Sequence, residues 1–296
     1  MQAFRRRLYV VAAVCFARVI QFLPYRVAVA AGGAAGALAY RVIHKSRLIV
    51  EQQLKTAFPD KDNASIKRIA RTAFINQGKN AFELFSFPAL TAQKIRRIVH
   101  IENSAAFKQA LTSGKGVLIA GAHCGNWEMM GAGLADAGFP INVIARRIYL
   151  DGLNKLLVGF RESKKVHVIL RSDGGAAKQI LRGLRNNEAI ALLIDQDTDV
   201  QGVFVDFFGR PAWTPSGLAS LALKTGAAVI LALDVREPDD THRVVITGPI
   251  SFEKTGDGEK DITVATQLVT RHIESHIRQY PEQWVWMHER WKTKLS

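Results

Sequence analysis

A histidine and a glutamate five residues apart, His123 and Glu128, are the side chains of this sequence best suited to acid–base chemistry. Between them lie Cys124, Gly125, Asn126 and Trp127. A histidine can take a proton from an alcohol near neutral pH, and a nearby carboxylate can hold its tautomer and stabilise the imidazolium. The pair therefore predicts a general base, His123, oriented by Glu128.

The spacing alone is weak evidence, because an isolated His–Glu pair is more often structural. Zinc would favour histidines four residues apart with a third ligand, and the sequence has no such cluster, so we expect no metal. Cys124 is a poor candidate nucleophile because its direct neighbour His123 is badly placed to activate it. The two cysteines, Cys15 and Cys124, form no disulfide framework and indicate a reducing, cytosol-facing location.

The segment around His123 lies where a buried strand should give way to a helix. Short apolar runs predict strands at 117–120, 141–145, 166–170, 189–194 and 227–235, and a more alternating run at 243–246 predicts an edge strand. Helical patterns cover 64–85, 127–137, 153–163, 176–186, 215–225 and 263–278. This alternation indicates an α/β fold with a mostly parallel central sheet flanked by helices.

Ligands of such sheets bind where strands end and helices begin, which is where the sequence places His123. Backbone amides at the start of the following helix could stabilise an oxyanion. The sequence therefore predicts that a substrate hydroxyl is deprotonated at this edge of the sheet.

The formal net charge of +14 is concentrated at the N-terminus. Residues 1–50 contain no acidic side chain and the basic residues Arg5, Arg6, Arg7, Arg18, Arg26, Arg41, Lys45 and Arg47. These frame apolar runs that stay short of the roughly 20 residues of a clean membrane span. The pattern predicts a retained, interfacial or spanning membrane anchor over residues 1–45 on an anionic, cytoplasmic membrane surface; the alternative is a buried helical hairpin. No nucleic-acid-binding module is found.

Residues 122–128, AHCGNWE, resemble the His-x4-Glu signature of the bacterial lipid A biosynthesis acyltransferases, the lauroyl and myristoyl transferase family. The similarity continues, in order, through FRESK at 160–164, IDQD at 194–197, FFG at 207–209, TPSG at 214–217, LKTGA at 223–227 and PEQWVWMHERWK at 281–292. It covers nearly the whole chain, and the ordered set of blocks is far more specific than any one of them.

The resemblance implies an acyltransferase domain over residues 46–296 with a glycerolipid acyltransferase-like fold. This domain would transfer a fatty acyl chain from an acyl thioester, usually on acyl carrier protein, to a hydroxyl of a lipid A precursor. It would use no cofactor and would face the cytoplasm at the bacterial inner membrane. A different glycolipid acceptor, such as a phosphatidylinositol mannoside, and a membrane-associated thioester hydrolase remain as alternatives.

The resemblance also assigns roles to individual residues. His123 and Glu128 would be the catalytic pair, and Asn126 would either donate to the site or cap the helix. Arg161 would bind phosphate of the acceptor or of the donor's phosphopantetheine. Asp195, preferred over Asp197 as the counterpart of the family's aspartate, would fix Arg161 or a substrate hydroxyl.

Basic residues elsewhere extend the expected substrate-binding set. Arg146 directly follows a predicted strand and could bind phosphate. Arg290 lies among aromatic residues near the C-terminus, and we expect it to face lipid. The neighbouring tryptophans, Trp284, Trp286 and Trp291, are expected to be structural.

Overall fold

The computed structural model describes residues 2–172 and 174–295, with side chains from Val10 onward. Eleven helices are found in this part of the chain: α1 (Gln2–Phe22), α2 (Tyr25–Val42), α3 (His44–Ala57), α4 (Asn63–Ser86), α5 (Ala92–Ile98), α6 (Ser104–Leu111), α7 (Trp127–Asp136), α8 (Asp151–Glu162), α9 (Ala176–Arg185), α10 (Gly217–Thr225) and α11 (Gly258–Gln279). Short 3₁₀ helices cover Phe87–Ala89 and Pro281–Gln283. The arginine triplet 5–7 lies on α1, but its side chains are outside the described residues.

Nine strands complete the described fold: β1 (Val99–Glu102), β2 (Val117–Gly121), β3 (Ile141–Ala145), β4 (His167–Leu170), β5 (Ala189–Leu193), β6 (Gly202–Phe207), β7 (Arg210–Pro215), β8 (Ala228–Arg236) and β9 (His242–Ile250). Seven of them form one sheet in the order β1-β9-β8-β2-β5-β3-β4, and β6 and β7 form a separate antiparallel hairpin. Within the large sheet only β8 and β9 pair antiparallel. The predicted α/β fold with a mostly parallel sheet is thus confirmed.

The centre of the sheet is β2, which pairs in parallel with β8 on one side and β5 on the other. Every residue of β2 is buried, as its uninterrupted apolar run requires of a strand covered on both faces. Its last residue, Gly121, lies opposite Leu193, the last residue of β5. The chain segments that follow these two strands therefore leave the sheet side by side.

Helices cover both faces of the sheet. The core on one face includes buried side chains of α5, α6 and α7, among them Phe107, Met129 and Leu134. The core on the other face includes side chains of α4, α9, α10 and α11, among them Leu184 and Val269. The two cores together bury the apolar runs from which the strands were predicted.

The N-terminal helices pack onto this domain through α4. Gly32 and Gly36 of α2 face Gly78 of α4 so closely that a Cβ at any of the three would meet the partner helix backbone. Taken singly, no helix in the described part of the chain is both long and apolar enough to cross a bilayer; α2 and α3 would meet those criteria only as a pair, which is bent by 91°. The membrane anchor over residues 1–45 stays a prediction.

Two features of the sheet differ from expectation. The predicted edge strand at 243–246 is the middle of β9, which lies between β1 and β8 because β1 forms the actual edge. Three strands are not predicted from the sequence: β1 and the two strands of the hairpin β6–β7. The sequence of β1 alternates over only four residues, and β7 contains prolines, which disfavour a strand prediction.

Candidate active site

The turn that carries His123 joins β2 to α7 and is held by the C-terminal segment. His123 O accepts a hydrogen bond from Val285 N at 3.1 Å, and Gly125 N donates to Gln283 O at 2.9 Å. Gly125 has a φ of 55° and lies so close to Asp234 that a Cβ would overlap it. A side chain here would overlap Asp234 and would be strained at this φ, so the turn beside His123 requires glycine.

A buried carboxylate binds the His123 ring. His123 Nδ1 lies 2.8 Å from Asp195 Oδ1, and His123 N donates to Asp195 Oδ2 at 2.9 Å. Trp284 Nε1 donates to the same Oδ2 at 2.7 Å. Burial by itself would raise the pKa of Asp195, but the neighbouring His123 and these hydrogen bonds outweigh burial and lower it. Asp195 is therefore an ionised group that fixes the imidazole.

Sheet topology explains this pairing. Asp195 follows β5 by two residues, His123 follows β2 by two residues, and β2 and β5 are parallel neighbours. We expected Asp195 to fix Arg161 or a substrate hydroxyl, and the structure places it on His123 instead. Asp197 faces the C-terminal segment, where it accepts hydrogen bonds from Thr293 N at 2.8 Å and Thr293 Oγ1 at 2.9 Å.

Glu128 does not orient His123 in this structure, which corrects the role expected from the spacing. Both of its oxygens accept hydrogen bonds from Arg161, from Nε at 2.8 Å and from Nη2 at 2.6 Å. Trp127 Nε1 donates to Glu128 Oε1 at 3.2 Å. Burial would lower the pKa of Arg161, but hydrogen bonding to Glu128 and its charge raise it. The fork geometry of guanidinium makes this bidentate pair the stronger partner for Glu128.

Asn126 is the N-cap of α7, so of the two roles expected of it the structure shows the helix cap and not the contact to the site. Its Oδ1 accepts hydrogen bonds from Glu128 N and Met129 N, each at 3.1 Å, and its Nδ2 donates to Glu83 Oε2 at 2.6 Å. The side chain is buried, and protein groups occupy both ends of its amide. Asn126 therefore builds the turn and does not contact substrate.

Most amides around the turn are also occupied, which corrects the expected oxyanion site at the helix start. His123 N donates to Asp195, Gly125 N to Gln283 O, and Asn126 N to Asp234. Two further amides of the first helical turn donate to the Asn126 side chain. These donors already have acceptors within the protein.

Arg290 is buried, so the lipid-facing role expected of it is wrong. Its guanidinium donates to Trp213 O and to Thr214 Oγ1, both at 2.5 Å, and lies over the Phe207 ring at 4.9 Å from the centroid. Burial lowers the pKa of Arg290 to about 10. These contacts tie the hairpin β6–β7 to the C-terminal segment, and the charges of Asp195 and Asp197 partly offset the cost of burying the guanidinium.

The tryptophans near Arg290 are core residues, as expected. Trp284 and Trp286 are fully buried and meet edge to face with centroids 4.5 Å apart. Trp291 is partly buried and packs near Phe207 at 5.9 Å.

His123 lines a pocket of about 600 Å³ at the C-terminal ends of the strands. Part of the pocket wall is apolar and comes from α7, α8, β2, β3, the 3₁₀ helix after α4 and the residue before β4: Phe87, Ile119, Met130, Gly131, Leu134, Ile141, Val143, Leu157, Val158 and Val166. These apolar residues, called the apolar slot below, include residues of both α7 and α8, and His123 lines the same pocket.

The pocket wall also has polar residues, called the polar wall below: Arg146, Arg161, Arg171, Gln196, Gln201 and His288. Arg146 is exposed at this polar side, so a phosphate can reach its guanidinium, and its predicted binding role stays a prediction. His123, Glu128 and Arg161 therefore line one pocket together with the residues of the apolar slot.

Three buried ionisable residues behind the turn were missed by the sequence reasoning: Glu83, Asp234 and His242. A signal existed for Asp234, because a carboxylate inside the apolar run of β8 must have a buried partner. Glu83 and His242 gave no such signal, since single polar residues on a helix or an outer strand are common.

Neither cysteine nor metal chemistry is supported at the site. Cys124 is buried, and its burial raises the pKa of the thiol well above the usual value, which disfavours the nucleophilic thiolate. Among the described residues, no group of three or more His, Cys, Asp or Glu side chains is arranged to hold a metal ion.

Comparison with known proteins gives the family. Residues 3–293 match the family model described as bacterial lipid A biosynthesis acyltransferase. The chain is 25% identical over 278 residues to a lipid A biosynthesis lauroyltransferase of Escherichia coli, covering 92% of this chain and 87% of the relative. A lipid A biosynthesis palmitoleoyltransferase of the same organism is 25% identical over 277 residues, with the same coverage.

A second group of relatives acts on a different acceptor lipid, according to their names. The chain is 28% identical over 216 residues to a phosphatidylinositol mannoside acyltransferase of Mycolicibacterium smegmatis, covering 72% of this chain and 69% of the relative. Relatives of both groups are acyltransferases, and the family model spans nearly every residue. The chain therefore belongs to the bacterial lipid A biosynthesis acyltransferase family and is an acyltransferase.

Proposed function

We propose that this acyltransferase moves a fatty acyl chain from acyl carrier protein to a hydroxyl of a lipid A precursor, with His123 as general base. The observation that carries the proposal is the Asp195–His123 pair at a pocket whose wall offers both apolar residues and basic or polar ones. A fatty acyl chain needs an apolar surface and a glycolipid headgroup needs a polar one, and both reactants must reach the same base.

Asp195 prepares His123 for proton abstraction. The 2.8 Å contact with Asp195 Oδ1 holds the proton on Nδ1, so Nε2, on the other side of the ring, accepts the proton of the acceptor hydroxyl. The hydroxyl oxygen then attacks the thioester carbonyl carbon, a C–O bond forms and the C–S bond breaks. The imidazolium returns its proton to the leaving thiolate, and Asp195 stabilises the positive charge in between.

The apolar slot between α7 and α8 would hold the acyl chain. The volume of the whole pocket is within the range of small-molecule sites in proteins, and the apolar residues of the slot would remove the chain from water. A chain in the slot would bring its thioester to the pocket mouth beside His123.

The arginines of the polar wall would bind phosphate. Arg146 is exposed, and Arg161 uses Nε and Nη2 for Glu128, so its Nη1 is directed away from that ion pair. The ion pair of Glu128 and Arg161 would also set the electrostatic potential where negative charge develops on the thioester oxygen. Glu128 therefore belongs to the proposed site through Arg161.

An inner-membrane location facing the cytoplasm would bring the enzyme to its lipid acceptor. Large apolar side chains are exposed along the N-terminal helices: Val11, Val14, Phe16, Val19 and Phe22 on α1, and Val27, Leu38, Val42, Ile43 and Leu48 on α2, on α3 and between them. Together with the basic residues of this region they form a surface suited to an anionic bilayer.

A phosphatidylinositol mannoside is the second candidate acceptor, favoured by the 28% identity to mycobacterial acyltransferases. Purified enzyme should be given palmitoyl, myristoyl and lauroyl acyl carrier protein with each acceptor in turn, and the products analysed by mass spectrometry. Transfer to the lipid A precursor supports the proposal, transfer only to the mannoside selects the second candidate, and release of free fatty acid alone means a thioester hydrolase.

A further inference from the structure

A closed ring of buried hydrogen bonds lies directly behind the His123 turn. Asn126 N donates to Asp234 Oδ2, and Asn126 Nδ2 donates to Glu83 Oε2, both at 2.6 Å. His242 closes the ring with Nδ1 at 2.8 Å from Asp234 Oδ2 and Nε2 at 3.2 Å from Glu83 Oε1. These four residues, called the Asn126 ring below, join α4, the turn, β8 and β9.

The ring is sealed from solvent and balanced in charge. Its four members are at most 1% exposed, and Arg236 donates to Glu83 from Nη1 at 2.9 Å and from Nη2 at 2.5 Å. Burial would lower the pKa of His242, but the charges of Asp234 and Glu83 outweigh burial and raise it to about 9. Two buried carboxylates therefore face two buried cations, Arg236 and protonated His242.

No ring member other than Asn126 belongs to the turn itself, yet the ring holds Asn126 at two points, its side-chain Nδ2 and its backbone N. Asn80, the neighbour of the ring on α4, donates from Nδ2 to Gly125 O at 2.6 Å. Buried ion clusters give little net stability and are often no better than apolar packing. Such clusters instead fix geometry, because each charge-assisted hydrogen bond sets an angle as well as a distance.

We infer that the Asn126 ring is a positioning device for the general base: Glu83, Asp234 and His242 act through Asn126 to hold His123 at its productive distance from the acceptor hydroxyl. The inference rests on the proposed role of His123. A misplacement of about 1 Å at a reacting group costs roughly 100-fold in rate. Only three residues lie between His123 and α7, and the ring holds the last of them, Asn126, so a shift of Asn126 is passed to the imidazole through a short turn.

Two variants separate positioning from mere stability. Asn126→Asp keeps an N-cap as good as asparagine but lacks the Nδ2 donor and puts a second carboxylate beside Glu83. His242→Gln keeps a donor toward Glu83 and loses the one toward Asp234. Arg96→Ala is the matched control, since it removes an ion pair of 3.0 Å to Asp136 at the far end of α7.

The experiment is steady-state acyl transfer from palmitoyl acyl carrier protein, with kcat expressed per folded molecule and with the Tm of each variant. We expect Asn126→Asp and His242→Gln to lower kcat by about 10- to 100-fold, with the KM for the donor within about twofold of wild type. We expect Arg96→Ala to keep the wild-type kcat.

The outcomes distinguish this inference from the proposed function. If both ring variants turn over at the wild-type kcat per folded molecule and lose only Tm, the ring is a structural cluster and the inference is overturned. Should either variant fail to fold, the other decides. His123→Ala is measured alongside: its full activity would defeat the proposed function, whereas an inactive His123→Ala with active ring variants defeats the positioning role alone.

Discussion

The indole of Trp284 donates a 2.7 Å hydrogen bond to Asp195 Oδ2, while Asp195 Oδ1 binds the His123 ring. The carboxylate is thus held from behind by a buried tryptophan and presents its other oxygen to the base. This places Trp284, a core residue by burial, in direct contact with the residue that orients His123.

Replacing Trp284 by phenylalanine tests this support. The variant keeps an aromatic ring against Phe207 but leaves Asp195 Oδ2 without its indole donor, so we expect kcat to fall by about 3- to 10-fold and the protein to lose about 1–3 kcal/mol. The matched control is Trp286→Phe, which removes an indole donor to Pro281 O at 2.6 Å and should lower stability without the loss in kcat. Equal kcat in the two variants would contradict the role of Trp284.

Gly131 on α7 should limit the length of the acyl chain. It lines the apolar slot, and a Cβ built there lies 3.7 Å from Val166, an ordinary contact. A larger side chain therefore fits the helix and fills the slot, so Gly131→Leu should shift the preference from palmitoyl toward lauroyl donors by about tenfold in kcat/KM.

Gly159→Leu is the control for helix effects in this experiment, because Gly159 lies exposed on α8 with open space around it. Competition between lauroyl and palmitoyl acyl carrier protein, read by mass spectrometry of the product, gives the ratio. An unchanged ratio in Gly131→Leu would show that the acyl chain lies elsewhere.

Alkaline pH should destabilise the protein through His242. The pKa of this residue is raised from 6.5 to about 9 in the folded state, because Asp234 and Glu83 outweigh the effect of burial. A raised pKa contributes stability that is fully present below pH 6.5 and is lost as the pH rises through about 9. We therefore expect the Tm of wild type to fall over this range more steeply than that of His242→Gln.

The measurement is thermal unfolding by circular dichroism across the same range for both proteins. Since the two proteins differ only at His242, the difference between the two curves gives the contribution of this residue. Parallel curves would mean that His242 is neutral in the folded protein.

Arg290 should matter for stability and not for membrane binding. Its guanidinium donates to Trp213 O and Thr214 Oγ1, so Arg290→Met leaves these acceptors unpaired and should cost about 2–3 kcal/mol. The exposed Lys294→Ala is the control. Binding of Arg290→Met to anionic vesicles should equal that of wild type in a sedimentation assay; a selective loss of vesicle binding would restore the lipid-facing role.

Much of the sheet could be predicted because parallel strands buried on both faces need short, continuous apolar runs, and 117–120 and 189–194 have them. The strand order could not be predicted in the same way. The chain passes through β3 and β4 before β5 returns to the side of β2, and no local pattern records that return.

The position of β5 beside β2 explains why the sequence predicted the wrong carboxylate as the partner of His123. Glu128 is five residues from His123 and Asp195 is 72 residues away, so nearness in sequence favoured the wrong carboxylate. The parallel pairing of β2 and β5 brings Asp195 to the imidazole, while α7 directs Glu128 toward Arg161. The burial of Arg290 could not be predicted from the sequence either, because its partners are a backbone carbonyl and a hydroxyl on the hairpin β6–β7.

The most direct test is the protonation state of the His123 ring, measured by ¹⁵N NMR of histidine-labelled enzyme with the imidazole neutral. We expect a protonated Nδ1 and an unprotonated Nε2 in wild type and in Glu128→Gln, and loss of this tautomer in Asp195→Asn together with a fall in kcat of about 10³-fold or more. A tautomer that changes in Glu128→Gln and persists in Asp195→Asn would contradict the assignment of Asp195 as the orienting carboxylate.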